Sequence, residues 1–302
     1  MTGSVWAVIL NYRDAAGTLD CLAALRRVRY QGLTSVVVDN DSGSDEVVEL
    51  RKAGATVIES GANLGYAGGN NVGIRAAIQA GADAVWILNP DSRPHRGSLR
   101  RLMLALRRHP EVGILGARIL EAGGRPHRVQ SEGGRIVWEA GGRSELIGRG
   151  SPAGRGGGLR TVDFVPGAAM LVRRAVFESV GLLPEDYFMY FEETEFCVRA
   201  SAAGWRVAVE PGASIIHSFS PADGLPSEAL AYYFVRSRLL FGLRHTEAPF
   251  DDLVADLQGF IESWRRRVKM RRPEWLGRYE ELVSLGIADA RVGLLGRRPG
   301  VG

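Results

Sequence analysis

The feature that most constrains the fold is a regular alternation of short apolar runs with segments of helical periodicity. Five apolar runs predict strands, at positions 5–10, 35–38, 56–59, 84–88 and 113–115. Between them, apolar residues at helical spacing predict helices at 17–28, 44–52, 69–80 and 98–108. We expect the helix at 44–52 to open on a Ser44 cap. Repeated strand–helix units indicate an α/β protein with a mostly parallel sheet covered by helices on both faces.

Polar residues follow four of the predicted strands at the points where those strands end. Since parallel strands end at one edge of a sheet, and α/β proteins bind ligands beyond that edge, we expect these side chains to form a polar site. The candidates from this reasoning are Asn11, Arg13, Asp39, Asn63, Gly68, Asn70, Asn89 and Asp91.

A glycine-rich loop, residues 63–71, follows the third predicted strand. Glycine lacks a Cβ atom and lets backbone approach a ligand closely. The spacing of these glycines is not that of a dinucleotide-binding fingerprint, which would also follow the first strand. The loop therefore favours a nucleotide-like ligand and argues against a dinucleotide-dependent dehydrogenase.

The second half of the chain is less regular. Residues 121–160 are rich in Gly and Arg, and only 135–138 has the pattern of a strand. This segment is either a mobile insertion that closes over a substrate or a surface loop. Order returns in the apolar stretch 162–172, in an aromatic run that leads into an acidic helix start at 192, and in a strand that contains His217.

Composition and charge set limits on the partners. The chain is 45% hydrophobic and 24% charged, as expected of a globular protein, and its net charge of +4 with a pI of about 9.3 permits an anionic ligand without singling out nucleic acid. We expect Cys21 and Cys197 to be buried, reduced thiols, because they lack metal-ligand spacing. No signal peptide and no apolar run of about 18 residues is found, so we expect a cytoplasmic protein.

Seven stretches carry the motifs in order along the chain: "VILNYRDAAGTLDCLAAL", "VVVDNDSGSD", "NLGYAGGNNVGIRAA", "ILNPDS", "VDFVPGAAMLVRRAVFESVGLLPEDYFMYFEETEFCVRASAAGWRV", "IIHSFS" and "YYFVRSRLLF". This ordered set resembles the family 2 glycosyltransferases, the inverting nucleotide-sugar enzymes of the GT-A fold. The resemblance is greatest to the branch with rhamnosyltransferases and cell-wall or exopolysaccharide sugar transferases.

The resemblance implies a GT-A domain over residues 1–225, Rossmann-like, with a mostly parallel sheet flanked by helices. Residues 1–120 would form its nucleotide-binding half and residues 121–225 its acceptor and catalytic half. Residues 226–302 would form a C-terminal helical extension.

The resemblance also implies a divalent cation, Mg²⁺ or Mn²⁺, on the donor diphosphate. Hard oxygen ligands suit both ions, and Asp91 stands where the family has its Asp-x-Asp signature. Here the first acid of that signature is Asn89, which leaves Asp91 as the charged ligand. His217 matches a family histidine that approaches the metal and the diphosphate.

Further roles follow from the same resemblance. Asp39 stands where the family places an acid against the nucleobase, and Glu192 and Glu193 match the acidic pair that supplies the catalytic base. The second acid is usually the base, which favours Glu193. Gly167 and Ala168 are small residues where the sugar or acceptor must come close.

The sequence therefore predicts an inverting glycosyltransferase that moves a sugar from a UDP-hexose, a UDP-N-acetylhexosamine or dTDP-rhamnose to a hydroxyl acceptor, either a glycan, a lipid-linked acceptor or a small molecule. Two alternatives stay open. One is a nucleotide-sugar-binding protein that has lost catalysis, prompted by Asn89 and by Glu in place of the family's Asp. The other is a sugar-nucleotide nucleotidyltransferase, although "NYRDAAGTLD" lacks the triphosphate loop that it needs.

The basic stretch 265–272, with Trp264 and Trp275 nearby, is a solvated helix face, a contact with anionic lipid or a homodimer interface.

Overall fold

A computed structural model describes residues 3–123, 127–154, 156–218 and 224–301. The chain forms two compact units. The first contains Met1–Arg135, Leu146–Pro184 and Glu193–Phe219, and the second contains Ile136–Glu145, Glu185–Glu192 and Ser220–Gly302. The last two residues of the "IIHSFS" motif and parts of the 121–160 segment (124–126 and 155) lie outside the described residues.

The strands are two to twelve residues long, and those at the centre of the sheet are buried and rich in β-branched residues. They are β1 (Val5–Asn11), β2 (Leu33–Asp39), β3 (Val57–Glu59), β4 (Ala84–Leu88), β5 (Ser92–Pro94), β6 (Val112–Glu121), β7 (Val129–Ser131), β8 (Gly134–Val137), β9 (Arg143–Leu146), β10 (Arg160–Thr161), β11 (Ala169–Arg173) and β12 (Arg206–His217).

Ten of these strands form one sheet, in the order β10-β12-β6-β11-β4-β1-β2-β3, with β5 paired to β12 and β7 paired to β6. Strands β4, β1, β2 and β3 are parallel, so their carboxyl ends meet at one edge. The sheet is mixed, because β11 runs antiparallel between β4 and β6. The mostly parallel α/β sheet predicted from the sequence is confirmed. The sequence did not predict the antiparallel strand β11 at its centre.

The helices are α1 (Ala15–Leu25), α2 (Ser44–Lys52), α3 (Gly65–Gln79), α4 (Ser98–Arg108), α5 (Arg174–Val180), α6 (Glu192–Ala202), α7 (Val235–His245), α8 (Phe250–Arg271) and α9 (Leu276–Arg291). A π-helical turn, Leu230–Phe234, leads directly into α7. Helix α2 has its predicted bounds, but the predicted Ser44 cap is wrong: Gly43 occupies the N-cap position and makes no side-chain hydrogen bond.

Helix α3 begins four residues before its predicted start at 69, inside the glycine-rich segment. Asn63 accepts a hydrogen bond from the Gly65 N–H at 3.0 Å, which satisfies one of the free donors at the helix start. A Cβ atom on Gly69 would lie 2.3 Å from a Leu10 methyl, and one on Gly73 would lie 2.4 Å from a Val8 methyl. Two of the glycines in this region therefore let α3 pack closely on β1.

The segment 121–160 contains more strand than its composition predicts. Strand β7 pairs with β6, β10 pairs with β12, and β8 and β9 form a separate two-stranded sheet. These strands are two to four residues long, too short to leave a period in the sequence. They form because neighbouring strands supply backbone hydrogen-bond partners: β6 for β7, β12 for β10, and β8 and β9 for each other.

The first unit has its core beneath the sheet. Trp86 and Leu171, opposite each other on β4 and β11, are fully buried together with Leu99 and Leu102 of α4. Both cysteines are buried and free, as predicted. Burial is the largest cause that raises the pKa of the Cys21 and Cys197 thiols to about 12.

The second unit is mainly helical. Fully buried aromatic residues, Tyr232, Tyr233, Phe241 and Tyr279, lie among α7, α9 and the π-helical turn. Two arginines of α7, Arg236 and Arg238, are buried with them. Within the described ranges, no helix is long and apolar enough to cross a bilayer.

Candidate active site

The first group of site residues lies where β1 and β2 end side by side. The fully buried Asn11 donates from its amide to Oδ1 of Asp39 at 3.0 Å and to Oε2 of Glu46 at 3.0 Å. The other Asp39 oxygen accepts from the Ser42 N–H at 3.1 Å. Asp39 is 4% exposed, and since a carboxylate offers about four acceptor positions, each oxygen keeps capacity for a ligand N–H.

Two turns beside this group have unusual backbone conformations. Arg13 and Asp41 have φ angles of 53° and 72°, a region that non-glycine residues rarely adopt and that costs of order 1–3 kcal/mol each. The Arg13 N–H donates to the Ser42 hydroxyl at 3.0 Å, and the exposed Arg13 guanidinium lies over the Tyr12 ring. The two turns are therefore connected through Ser42.

Asn40 joins this group to the start of α3. Its amide donates to Oδ1 of Asn63 at 3.1 Å, and its own oxygen accepts from the Leu64 N–H at 3.0 Å. Sequence reasoning gave Asn63 a place in the site but gave none to Asn40, whose side chain holds the Asn63 turn. An asparagine next to a strand-end aspartate has no distinctive sequence pattern.

Gly68 and Asn70 lie within the first turns of α3 and are buried. Asn70 donates to the Tyr66 carbonyl at 2.9 Å, whereas its Oδ1 atom has no hydrogen-bond partner among the described residues. A buried, unsatisfied amide oxygen is uncommon in folded proteins. Because Asn70 is fully buried, this acceptor faces the protein interior.

The second group of site residues is centred on His217, the last residue of β12. Its Nε2 atom lies 3.0 Å from Oδ1 of Asp91 and 3.4 Å from the amide nitrogen of Asn89, and its Nδ1 atom lies 2.8 Å from Oε1 of Gln130. The side chains of His217 and Asp91 are 7% and 28% exposed. The structure thus brings together the two residues predicted to hold the cation.

Gln130 contacts the opposite side of this imidazole. Because its Oε1 atom can only accept, the Nδ1 side of His217 donates to it, and Nε2 faces Asp91 and Asn89. An imidazole nitrogen and a carboxylate oxygen side by side are both possible ligands for a cation. Sequence reasoning missed Gln130, since it lies on a three-residue strand in the irregular segment.

Gly167 and Ala168 lie just before β11 and support the turn that contains Asp91. The Ala168 carbonyl accepts from the Asn89 N–H at 3.2 Å and from the Ser92 hydroxyl at 2.8 Å. The Tyr66 hydroxyl donates to the Gly167 carbonyl at 2.7 Å, and a Cβ atom on Gly167 would lie 2.4 Å from the Tyr66 oxygen. The space beside Gly167 is occupied by Tyr66, a residue that sequence reasoning did not select.

Glu192 and Glu193 are the first residues of α6, as predicted. Glu192 is 3% exposed, whereas Glu193 keeps part of its surface exposed. Burial of the Glu193 carboxyl removes water from it and raises its pKa from 4.5 to about 7. Hydrogen bonds from the backbone N–H groups of Glu193 and Thr194 act in the opposite direction and lower the pKa. A carboxyl with this pKa exchanges a proton readily near neutral pH.

The described residues contain no group of three or more His, Cys, Asp or Glu side chains placed to hold a metal ion. Two cavities in the first unit, of about 500 Å³ and 430 Å³, are lined by other residues, including Arg27 and Arg96 in the larger one. The candidate site is therefore an open polar edge of the sheet, and a cation there would need ligand atoms beyond those of Asp91 and His217.

Comparison with known proteins gives three relevant similarities. A model of the family described as "Glycosyl transferase family 2" matches residues 6–181, more than half of the chain. Over 237 residues the chain is 31% identical to a low-salt glycan biosynthesis hexosyltransferase of Haloferax volcanii, covering 77% of this chain and 73% of that protein. Over 267 residues it is 27% identical to the N-acetylglucosaminyl-diphospho-decaprenol L-rhamnosyltransferase of Mycobacterium tuberculosis, covering 82% and 86%.

A solved structure is similar over nearly the whole chain. The mannosyltransferase from Pyrobaculum calidifontis, in complex with GDP-Man and Mn²⁺, has a TM-score of 0.57, with 97% of this chain and 87% of that chain covered at 16% identity. At that identity the likeness establishes a shared GT-A-like fold.

Proposed function

The chain belongs to glycosyltransferase family 2, and we propose that it transfers a sugar, with inversion at the anomeric carbon, from a UDP- or dTDP-linked donor to a hydroxyl acceptor. Membership of the family makes it a nucleotide-sugar-dependent glycosyltransferase of glycan biosynthesis. Of the alternatives left open by the sequence, the binding protein and the nucleotidyltransferase have no support in these comparisons.

The observation that carries the proposal is the contact of Asp91 with His217 at the sheet edge, with 3.0 Å between Oδ1 and Nε2. One carboxylate oxygen and one imidazole nitrogen fit Mn²⁺ or Mg²⁺, which commonly completes its coordination with phosphate oxygens and water. When bound, such an ion neutralises the charge that develops on the leaving diphosphate. We propose that Asp91 and His217 hold it, and that Gln130 and Asn89 orient the imidazole.

We propose Glu193 as the base that removes the proton from the acceptor hydroxyl. Its raised pKa, about 7, gives a mixture of protonated and ionised forms at neutral pH, which suits a group that must accept a proton and then release it. Glu192 is more buried than Glu193. We assign it to support of the helix start.

The donor nucleotide is proposed to bind across the ends of β1, β2 and β4. Asp39, whose oxygens each accept one hydrogen bond and keep capacity for another, offers a carboxylate oxygen to the ring N–H of uracil or thymine. Asn70 is assigned to the turn beside it. We propose the same functional division as from the sequence: 1–120 for the donor nucleotide, 121–225 for the acceptor and catalysis, and 226–302 as a helical extension. The names of the relatives, a hexosyltransferase and an L-rhamnosyltransferase, favour a hexose or rhamnose as the transferred sugar.

We further propose that a lipid-linked acceptor brings the protein to the inner face of a membrane. The end of α8 supports this proposal, because Arg266, Arg267 and Lys269 are exposed there and the Met270 side chain is 75% exposed. Cations around an apolar side chain suit an anionic lipid surface. Sedimentation with vesicles that contain an anionic lipid, compared with neutral vesicles, tests it. Equal binding to both, or to neither, would refute it.

The proposed transfer is tested with purified protein and a panel of UDP-glucose, UDP-galactose, UDP-N-acetylglucosamine and dTDP-rhamnose in the presence of Mn²⁺. Release of the nucleoside diphosphate and transfer to an added polyprenyl-diphosphate sugar are measured. We expect one donor to be consumed much faster than the others. If no donor is hydrolysed or transferred by a protein that binds UDP or dTDP, the catalytic proposal is wrong.

A further inference from the structure

The segment that leads into α6 has an unusual backbone. Phe188, Tyr190 and Phe191 have φ angles of 64°, 66° and 71°, in the left-handed region, although none of them is glycine. Such conformations persist only where surrounding contacts hold them, and they are concentrated at functional sites. Here they occur directly before Glu192 and Glu193, so the path of this segment sets the direction in which α6 begins.

Arg236 of α7 binds this segment through its backbone. It is fully buried, and its guanidinium donates to the Tyr187 carbonyl at 2.8 Å while lying over the rings of Tyr232 and Tyr233. Its Nε atom has no hydrogen-bond partner among the described residues. A buried cation that binds a neutral carbonyl is costly, since both its charge and its donors lose water. The guanidinium also donates to the Tyr232 hydroxyl at 3.3 Å, so the shorter of its two hydrogen bonds is the one to the segment before α6.

Ser237, the next residue of α7, holds a second carbonyl of the same segment. It is fully buried, and its hydroxyl donates to the Met189 carbonyl at 2.9 Å. Ring contacts complete the arrangement: Phe188 lies 4.9 Å from Tyr233, and Phe191 lies 5.3 Å from Phe241, centroid to centroid. Alternate peptides of the strained segment are thus fixed by adjacent residues of one helix.

We propose that Arg236 and Ser237 are positioning residues for catalysis: by holding the carbonyls of Tyr187 and Met189 they maintain the strained segment and so fix where α6 presents Glu193. The inference rests on the proposed role of Glu193 as the base. It adds that two fully buried residues of α7 determine the efficiency of proton removal.

Arg238 provides a matched comparison on the same helix. It is 2% exposed and also binds two backbone carbonyls, those of Ala140 at 3.0 Å and Gly141 at 2.9 Å, together with Asp256. These partners lie outside the segment before α6. If burial of an arginine in α7 mattered only for folding, Arg236 and Arg238 would respond alike to substitution.

The test compares Ser237→Ala and Arg236→Lys with the controls Thr246→Ala and Arg238→Lys. Thr246 also donates a hydroxyl to a carbonyl, that of Gly242 at 2.8 Å, away from the segment. We expect Ser237→Ala and Arg236→Lys to lower kcat by about tenfold to a hundredfold, as a displaced catalytic group does, with little change in donor KM. The controls are expected to keep kcat, and thermal unfolding shows which variants are folded.

The pH dependence of kcat/KM is a second measurement, and it would stay unchanged if Arg236 and Ser237 had a purely structural role. The neighbourhood of Glu193 contains its own N–H, that of Thr194, and the Cys197 thiol one turn along α6. In the wild type the acid limb should lie near pH 7. Loosening the segment admits water, which lowers the pKa of the carboxyl, so in Ser237→Ala the limb should move to lower pH.

The outcomes separate the inference from the function on which it rests. If Glu193→Gln is fully active, Glu193 is not the base and both fail. If Glu193→Gln is inactive but Ser237→Ala matches Thr246→Ala in kcat and in pH profile, only the inference fails. A loss of kcat with a shifted acid limb in Ser237→Ala, absent from the controls, supports it even where Arg236→Lys does not fold.

Discussion

Nε2 of His217 lies 3.0 Å from Oδ1 of Asp91, and this contact joins the end of β12 to the turn after β4. Strand β5, which follows that turn, pairs with β12 in antiparallel register, with His217 opposite Ser92. The backbone therefore holds the two side chains together before any ligand arrives. A preformed pair of ligands lowers the conformational cost of binding a cation.

The first prediction concerns Asp91. Asp91→Ala removes the charged ligand at a strand-end turn, so it should abolish nearly all transfer while the protein stays folded. Titration of Mn²⁺ into EDTA-treated protein measures the dependence of activity on the ion. Asp45→Ala, which removes an exposed carboxylate from α2, is the control. Full activity of the wild type without any divalent ion would exclude the metal role.

The second prediction concerns Gln130. Gln130→Leu removes the acceptor for the Nδ1 proton of His217, and loss of such a partner typically weakens metal binding by about 10–100-fold. Gln130→Glu keeps an acceptor oxygen and should bind the ion better than Gln130→Leu. Calorimetric titration of Mn²⁺ in the presence of UDP measures both. Equal affinities in the two variants would mean that Gln130 does not orient the imidazole.

The third prediction concerns the nucleobase. UDP and dTDP should raise the melting temperature more than GDP or ADP do, because Asp39 can accept the N–H of a pyrimidine. Asp39→Ala should erase that preference. It should also loosen the turn at Ser42, because the Ser42 N–H donates to the Asp39 carboxylate. Ser42→Gly, which leaves Asp39 in place, is the control for the turn. A preference that survives in Asp39→Ala would remove Asp39 from the site.

The fourth prediction concerns the base. Glu193→Gln keeps the volume of the side chain but cannot take a proton, so turnover should fall by about 10²–10⁴-fold while donor affinity is nearly unchanged. Glu192→Gln should cost less. Turnover at saturating acceptor and donor affinity by calorimetry separate the two. An inactive Glu192→Gln beside an active Glu193→Gln would reverse the assignment.

The fifth prediction concerns stability and pH. Since the folded pKa of Glu193 is raised from 4.5 to about 7, the native state holds this proton more tightly than the unfolded chain does. Its contribution to stability is therefore complete below pH 4.5 and is lost as the pH rises through about 7. Melting temperatures at pH 5 and pH 8 should differ less in Glu193→Gln than in the wild type. An unchanged difference would show that Glu193 titrates normally.

Much of the fold could be predicted because its elements have strong local patterns. Strand β4 and helices α2 and α4 have their predicted bounds, since continuous apolar runs and helical spacing mark them clearly. The antiparallel β11 could not be placed, because strand order depends on pairing between distant segments. The start of α3 was missed because Asn63 and Gly65, typical turn residues, begin a helix here.

The site residues that belong to sequence motifs could be predicted, and the others could not. Asp91 was selected from its position after a predicted strand and His217 through a family resemblance, and the two are in contact. Gln130 contacts His217 and Tyr66 contacts Gly167, but neither residue belongs to a sequence motif. Their roles follow from side-chain hydrogen bonds that are visible only in the folded chain. The left-handed conformations of Phe188, Tyr190 and Phe191 are likewise invisible in the sequence, because aromatic residues seldom adopt them.

The two buried cysteines make the protein suitable for site-specific labelling. Thiol reagents attack the thiolate, and with pKa values of about 12 neither Cys21 nor Cys197 ionises appreciably near pH 7. A fluorophore added to the native protein should therefore leave both untouched. Cysteines introduced at the exposed positions Lys52 and Glu247, one in each compact unit, would then be the reactive thiols of the described chain. A dye at one of these positions would report local changes in that unit when donor or acceptor is added.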